Sequence, residues 1–204
     1  MKQYKLILSI ILLLITNIGI AQSPGDILWK ELYGGYEDES FHDVQQTSDS
    51  GYIAVGYTTT YGPVVGVKSL WAVKTNSAGD TQWTTAIGLG VSFGDWANSV
   101  AVCPDGSFII AGETYSYAIN EKDAWILKLD SQGNTLWTTT YSGPSYDVAS
   151  SVVINDAGNY AITGYSYNSS GNSDVLFLEY DPSGNLLLDL TYGGTQDDWT
   201  TDLC

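Results

Sequence analysis

The sequence predicts an all-β fold built from repeated four-stranded antiparallel sheets. Three observations carry that prediction. A motif returns along the chain: GDILWKELYGG, GDTQWTTAIGLG, GNTLWTTTYSG and GNLLLDLTYGG begin at Gly25, Gly79, Gly133 and Gly184, spaced 54, 54 and 51 residues apart. Each repeat carries four short apolar runs bounded by Gly, Asp, Asn and Ser, the signature of strands joined by tight turns. Long capped stretches of 3.6-residue periodicity do not occur beyond the first twenty residues.

Other features keep step with the motif. SLWAVKTNSAG, DAWILKLDSQG and SDVLFLEYDPSG precede its last three copies, and SDSGYIAVG, PDGSFIIAG and NDAGNYAITG lie midway. Ile126-Leu127-Lys128-Leu129 and Val175-Leu176-Phe177-Leu178 are apolar on both faces, as suits a strand buried between neighbouring sheets. A four-stranded unit of this length predicts the blade of a β-propeller. Three complete blades are expected, with partial strands at both ends and an open or truncated ring.

The repeated pattern, best formed from Asp123 to Gly143 with Trp125, Lys128, Asp130, Gly133, Asn134 and Trp137 in place, resembles the tandem propeller-type repeats of large secreted proteins in bacteria with a type IX secretion pathway. The third copy departs from it, with Leu176 and Leu188 where Trp is expected and Glu179 in place of Lys. The resemblance implies the fold and export. It implies no common activity.

Taken in order, residues 1–21 read as a secretory signal peptide. Lys2 and Lys5 precede an apolar run from Leu6 to Ile15, and Gly19 and Ala21 stand before a cut at Gln22. The mature chain is then secreted or held at the cell surface, with no membrane span. Residues 22–35 are expected as a lone outer strand. Blades follow at 36–90, 91–143 and 144–194, and 195–204 begins a fourth. A closed ring would lack at least two strands, so the chain is expected to be a piece of a longer protein or to form no closed ring on its own.

Composition narrows the partners. Seven lysines, no arginine and 23 acids give a formal net charge of −16. Nucleic acid is a poor partner, because phosphate binding draws on clustered Lys and Arg, and the net negative charge makes anionic membranes and polyanionic glycans poor partners too. A neutral glycan or another surface protein remains. Cys103 and Cys204 fall in different blades with one blade between them, too far apart for a disulfide.

The turns DSQGN and NSAGD could be calcium loops or plain hairpins. Each offers too few carboxylates for calcium, so no metal and no cofactor is expected. An acid recurs at Glu39, Asp95, Asp147 and Asp198; a residue needed in every blade ties the blade together, whereas catalysis needs it once. Asp38 and Asp197 lie outside that register and are candidates for something local. The loops between the second and third strands vary most and carry Tyr57, Tyr61, Tyr115, Tyr117, Tyr165 and Tyr167, which could stack on sugar rings or simply pack between blades. His42 has no partner set for a triad or a zinc site. The leading reading is an exported, non-enzymatic binding or scaffold module. A carbohydrate-active enzyme using acids of the loops between blades is the second, and a calcium-stabilised adhesin the third. N-terminal sequencing of the exported chain is expected to begin at Gln22; an exported chain that keeps residues 1–21 contradicts that cut.

Overall fold

The computed structural model describes residues 27, 29–90, 93–115, 122–200 and 202–203. The signal segment and Cys204 lie outside them. The described chain is all-β, and no helix in it is long and apolar enough to cross a membrane. Three sheets form in sequence order. The first holds β1 (Glu39–Gln46), β2 (Tyr52–Thr58), β3 (Ser69–Thr75) and β4 (Thr81–Ile87). The second holds β5 (Asp95–Val102), β6 (Phe108–Thr114), β7 (Asp123–Leu129) and β8 (Thr135–Tyr141). The third holds β9 (Asp147–Ile154), β10 (Tyr160–Tyr167), β11 (Ser173–Tyr180) and β12 (Leu186–Tyr192). Every pairing is antiparallel between consecutive strands.

Local chemistry explains the turns. Between third and fourth strands, Asn76, Asp130 and Asp181 each accept the amides two and four residues ahead, at 2.8–3.0 Å. Gly79, Gly133 and Gly184 then close the turn at φ of 84–90°, a conformation open to glycine at little cost.

The core forms between sheets. Ile53, Val55, Leu70 and Ala72 of the first sheet pack on Phe108, Ile110, Trp125, Leu127 and Leu129 of the second. Alternate residues of the same two strands, Ile109, Ala111, Ala124 and Ile126, pack on Ile162, Leu176 and Leu178 of the third. The middle sheet is therefore sandwiched, and β7 is buried at every position.

The sheets are keyed together by tryptophan. Trp83 of β4 reaches the second sheet, where its ring lies 5.8 Å from Phe108 and its Nε1 donates to Ser131 O at 2.9 Å. A Cβ on Gly133 would lie 2.7 Å from that ring, so the glycine is the seat. Trp137 repeats the arrangement on the third sheet, 6.1 Å from Tyr160, over Gly184, with its Nε1 donating to Pro182 O at 3.2 Å. Trp29 sits likewise on the first sheet, beside Tyr52 and over Gly79.

The first strands are joined by a second device. Each carries a β-bulge, at His42, Asn98 and Ser150. The bulge drives a carbonyl against the second strand: a Cβ on Gly56, Gly112 or Gly164 would lie 1.9 Å from Ser40 O, 2.2 Å from Trp96 O or 1.8 Å from Val148 O. Only glycine fits there. His42 Nδ1 lies 2.7 Å from Ala97 O, and Asn98 Nδ2 donates to Ala149 O at 3.0 Å, so a bulged side chain reaches the next sheet. The following residue does the same: Asp43 Oδ2 accepts Val100 N at 2.9 Å, Ser99 Oγ accepts Val152 N at 3.3 Å and Ser151 Oγ accepts Leu203 N at 3.2 Å.

Two expectations about the ends change. Residues 29–35, expected as an outer strand, lie against the first sheet through Trp29 and Tyr33 but belong to no sheet. The described residues from 195 onward follow the third sheet through Thr200, whose hydroxyl lies 2.6 Å from that of Thr163, again without ladder pairing. Both stretches pack mainly by side chains, with Asp198 N donating to Ser173 O at 2.7 Å, and neither joins a ladder.

Replacing Trp83 with Ala is expected to cost about 3 kcal/mol in urea unfolding, whereas Trp199→Ala, at a site 62% exposed, should stay within about 0.5 kcal/mol. Equal losses would contradict the keying role.

Candidate functional site

Antiparallel meanders put alternate connections on opposite ends of the sheets. The hairpins after the first and third strands share one end. There Lys74 Nζ meets Asp49 Oδ2 at 2.9 Å and Lys128 Nζ meets Asp105 Oδ2 at 3.7 Å. The third sheet has Glu179 in that place, and it accepts Asn155 and Asn159 side-chain amides at 2.9 and 2.8 Å. A hydrogen bond from the Thr47 hydroxyl, then Lys74, holds the Asp49 carboxyl below its ordinary value. Hydrogen bonds from Ser107 do the same for Asp105. These end residues are occupied in holding turns.

The opposite end gathers the loops after the second and fourth strands. The recurring acids open the first strands there. Glu39 Oε2 accepts Gly35 N at 3.0 Å, Asp147 Oδ2 accepts Gly143 N at 2.5 Å and Asp198 Oδ2 accepts Gly194 N at 3.2 Å, each four residues back. Asp95 Oδ1 accepts the Thr114 hydroxyl at 2.5 Å and Tyr115 N at 3.2 Å. Burial alone would raise the Glu39 carboxyl, but hydrogen bonds from Thr60, Gly35 and Thr58 bring it below its usual value. The amides of Asp95 and Asp147 also tie sheet to sheet, donating to Lys68 O at 3.0 Å and Lys122 O at 2.8 Å, and that of Asp198 ties the C-terminal stretch to the third sheet through Ser173 O at 2.7 Å.

The six tyrosines fall into different surroundings. Tyr57 is half-buried, edge-on to His42, with Lys68 Nζ 4.1 Å from its ring centre. Tyr61 is exposed, stacks on Trp71 and donates to Gly34 O at 2.6 Å. Tyr115 is half-buried between Phe93 at 5.1 Å and Trp96 at 6.4 Å. Tyr117 lies outside the described residues. Tyr165 and Tyr167 are half-buried and meet edge to face at 5.9 Å, with Tyr146 against Tyr167. Burial, with Lys122 opposing it, pushes the Tyr165 phenol up. Tyr61 apart, the described rings are packed in clusters at sheet junctions.

Asp38 is exposed; its amide donates to the Thr59 hydroxyl at 2.8 Å and its carbonyl accepts Thr59 N at 3.0 Å. Asp197 Oδ1 accepts Ser173 N at 2.9 Å, fixing the loop that follows β12.

Two grooves escaped the sequence reading. One, of about 610 Å³, runs along β1, β5 and β9 and is lined by His42, Asp43, Asn98, Ser99, Ser150 and Ser151 among others. Its signal was available: HD, NS and SS interrupt three apolar strands at one register. Much of this polarity is used in the sheet-to-sheet bonds described above. The other groove, of about 380 Å³, lies against the third sheet and brings Asp174 and Asp189 together with Tyr141, Ser166 and Asn168. Burial, then Asp189, pushes the Tyr141 phenol up to about 12, and its hydroxyl donates to Asp189 Oδ1 at 3.1 Å. Asn168 Nδ2 donates to Asp174 Oδ2 at 3.0 Å, and the buried Asp174 Oδ1 has no hydrogen-bond partner.

No protein-family model matches the chain, and no curated protein does. A crystal structure of a protein of unknown function from Bacteroides caccae aligns with 76% of this chain at 18% identity and a TM-score of 0.49. The chain spans about half of that structure, 47% of its length.

Carboxyls held below their unfolded value of 3.8, such as Asp49 and Asp105, stabilise the fold above that pH and lose their contribution as pH falls through it. The melting temperature should drop on acidification below 3.8, and drop less in Asp49→Asn, which starts lower at neutral pH. An equal acid-induced drop in the variant would remove Asp49 from the account.

Proposed function

We propose that the chain is an exported, non-enzymatic module of propeller type that binds a neutral glycan or another surface protein through its loop end. The finer architecture follows from the way successive sheets repeat one joint while β1, β5 and β9 border a common groove. Membership of the secreted tandem-repeat group of type IX-secreting bacteria is part of the same proposal, resting on the Asp123–Gly143 pattern.

One observation carries the binding reading. The polar residues that recur in every sheet are spent on turns and joints, whereas the aromatic residues that differ between sheets collect at the loop end. Aromatic rings beside hydroxyl and amide groups suit a pyranose, whose apolar face stacks and whose hydroxyls bond. Tyr61 and Phe93, 49% and 72% exposed, are the rings most open to such contact. A neutral-glycan array probed with the full chain should give binding that Tyr61→Ala and Phe93→Ala weaken by about tenfold each. Silence across the array would remove the glycan half of the proposal.

A second reading has one observation behind it. Asp174 and Asp189 share a groove, and paired carboxylates can hydrolyse glycosidic bonds. Asp189 has no acid counterpart in the other sheets, where Thr84 and Thr138 stand. Glycan hydrolysis abolished by Asp189→Asn would favour this reading; hydrolysis unchanged by that substitution would end it.

A further inference from the structure

The loop-end junctions between sheets are built alike, but their charges are not balanced alike. Between the second and third sheets, Lys122 pairs with Glu113 at 2.5 Å and lies 5.8 Å from the Tyr165 ring. One repeat earlier Lys68 occupies the same place, directly before the third strand. Tyr57 replaces Glu113 there, each following its close-approach glycine.

Lys68 consequently has aromatic rings for neighbours. Its Nζ lies 4.1 Å from the Tyr57 centre and 4.8 Å from that of Trp96. Among the described residues, Lys74, Lys122 and Lys128 have carboxylate partners, Lys30 is exposed outside the sheets, and Lys68 is half-buried without one. In a chain of 23 acids and seven lysines, a half-buried cation left unneutralised is a specific arrangement.

Its surroundings are fixed. Asp95 N donates to Lys68 O at 3.0 Å. Gly94, at φ +82°, lets the next sheet approach: a Cβ there would lie 2.6 Å from Lys68 Cβ. Beside the ammonium runs a ledge of Trp96, Tyr115 and Phe93, the last 72% exposed.

We propose that Lys68, Trp96, Tyr115 and Phe93 form a binding site for a glycan residue that carries a carboxylate, a uronic acid. Lys68 takes the carboxylate in a charge-assisted hydrogen bond, and the rings take the apolar face of the pyranose. Tyr57 holds the ammonium from its other side by a cation–π contact without neutralising it. The chain's negative charge does not forbid this, because interactions between exposed charges fade beyond about 8 Å at physiological ionic strength. The inference rests on the loop end being a glycan-binding surface and names the sugar class for one part of it.

Calorimetric titration of the full chain with an oligogalacturonate and an oligoglucuronate, each against its methyl ester, separates the charge from the sugar. At least one acid form should bind about tenfold more tightly than its ester. Lys68→Met, which keeps most of the stem, should abolish that preference. Tyr57→Glu, which rebuilds the Glu113–Lys122 pairing at Lys68, should abolish it too and serves if Lys68→Met does not fold. Phe93→Ala should weaken acid and ester alike. Esters bound as tightly as acids would overturn the uronate site while leaving the neutral-glycan reading standing. Retention of the preference in a folded Lys68→Met or Tyr57→Glu chain would overturn it as well, as would failure of the acid forms to bind while neutral glycans do. Silence of uronates and neutral glycans together would sink both.

Discussion

The seating of a tryptophan on a hairpin glycine of the next sheet is the contact on which the rest depends. An isolated four-stranded sheet with apolar residues on both faces would expose both of them to water. Trp83 and Trp137 close that gap, because each ring covers an aromatic of the following sheet while its indole N–H satisfies a turn carbonyl. The glycine serves two purposes at once: it makes the turn and leaves room for the ring. The third sheet has Leu188 where the others have tryptophan, and that residue lies 37% exposed at the far side of the stack.

Much of the sheet structure was legible because turns and strands write themselves locally. Asp130-Ser131-Gln132-Gly133-Asn134 specifies its hairpin through bonds within five residues. The repeated acids were likewise readable as ties, since recurrence itself argues against a unique task. What could not be read were features whose partner lies in another strand or another sheet. The glycines of AVG, IAG and ITG were visible as a pattern, but their cause is a carbonyl displaced by a bulge in another strand. Within the outer strand expected at residues 22–35, the described residues 29–35 join no sheet: a strand needs a neighbour, and pattern alone does not supply one.

The candidate site was less legible than the fold. The tyrosines were picked out as variable aromatics, and of those described only Tyr61 is openly exposed. The neighbours that give the cluster around Tyr57 its chemistry, Lys68 and Trp96, are spread over two sheets and came together only through the junction. Asp174 and Asp189 were overlooked because they sit within strands, where a carboxylate reads as solvent-facing filler. Their shared groove arises from packing of the second sheet's Tyr141 against the third.

The bulge in each first strand has a wider consequence. In the first and second sheets it turns two polar side chains, at matching positions, toward the same two backbone groups of the successor. Duplicating or deleting one whole repeat by recombination would leave each surviving joint with its full set of partners. An insertion of a single residue within a first strand would instead move the bulge off its glycine. The gene is thus free to change in units of one repeat and tightly held within them.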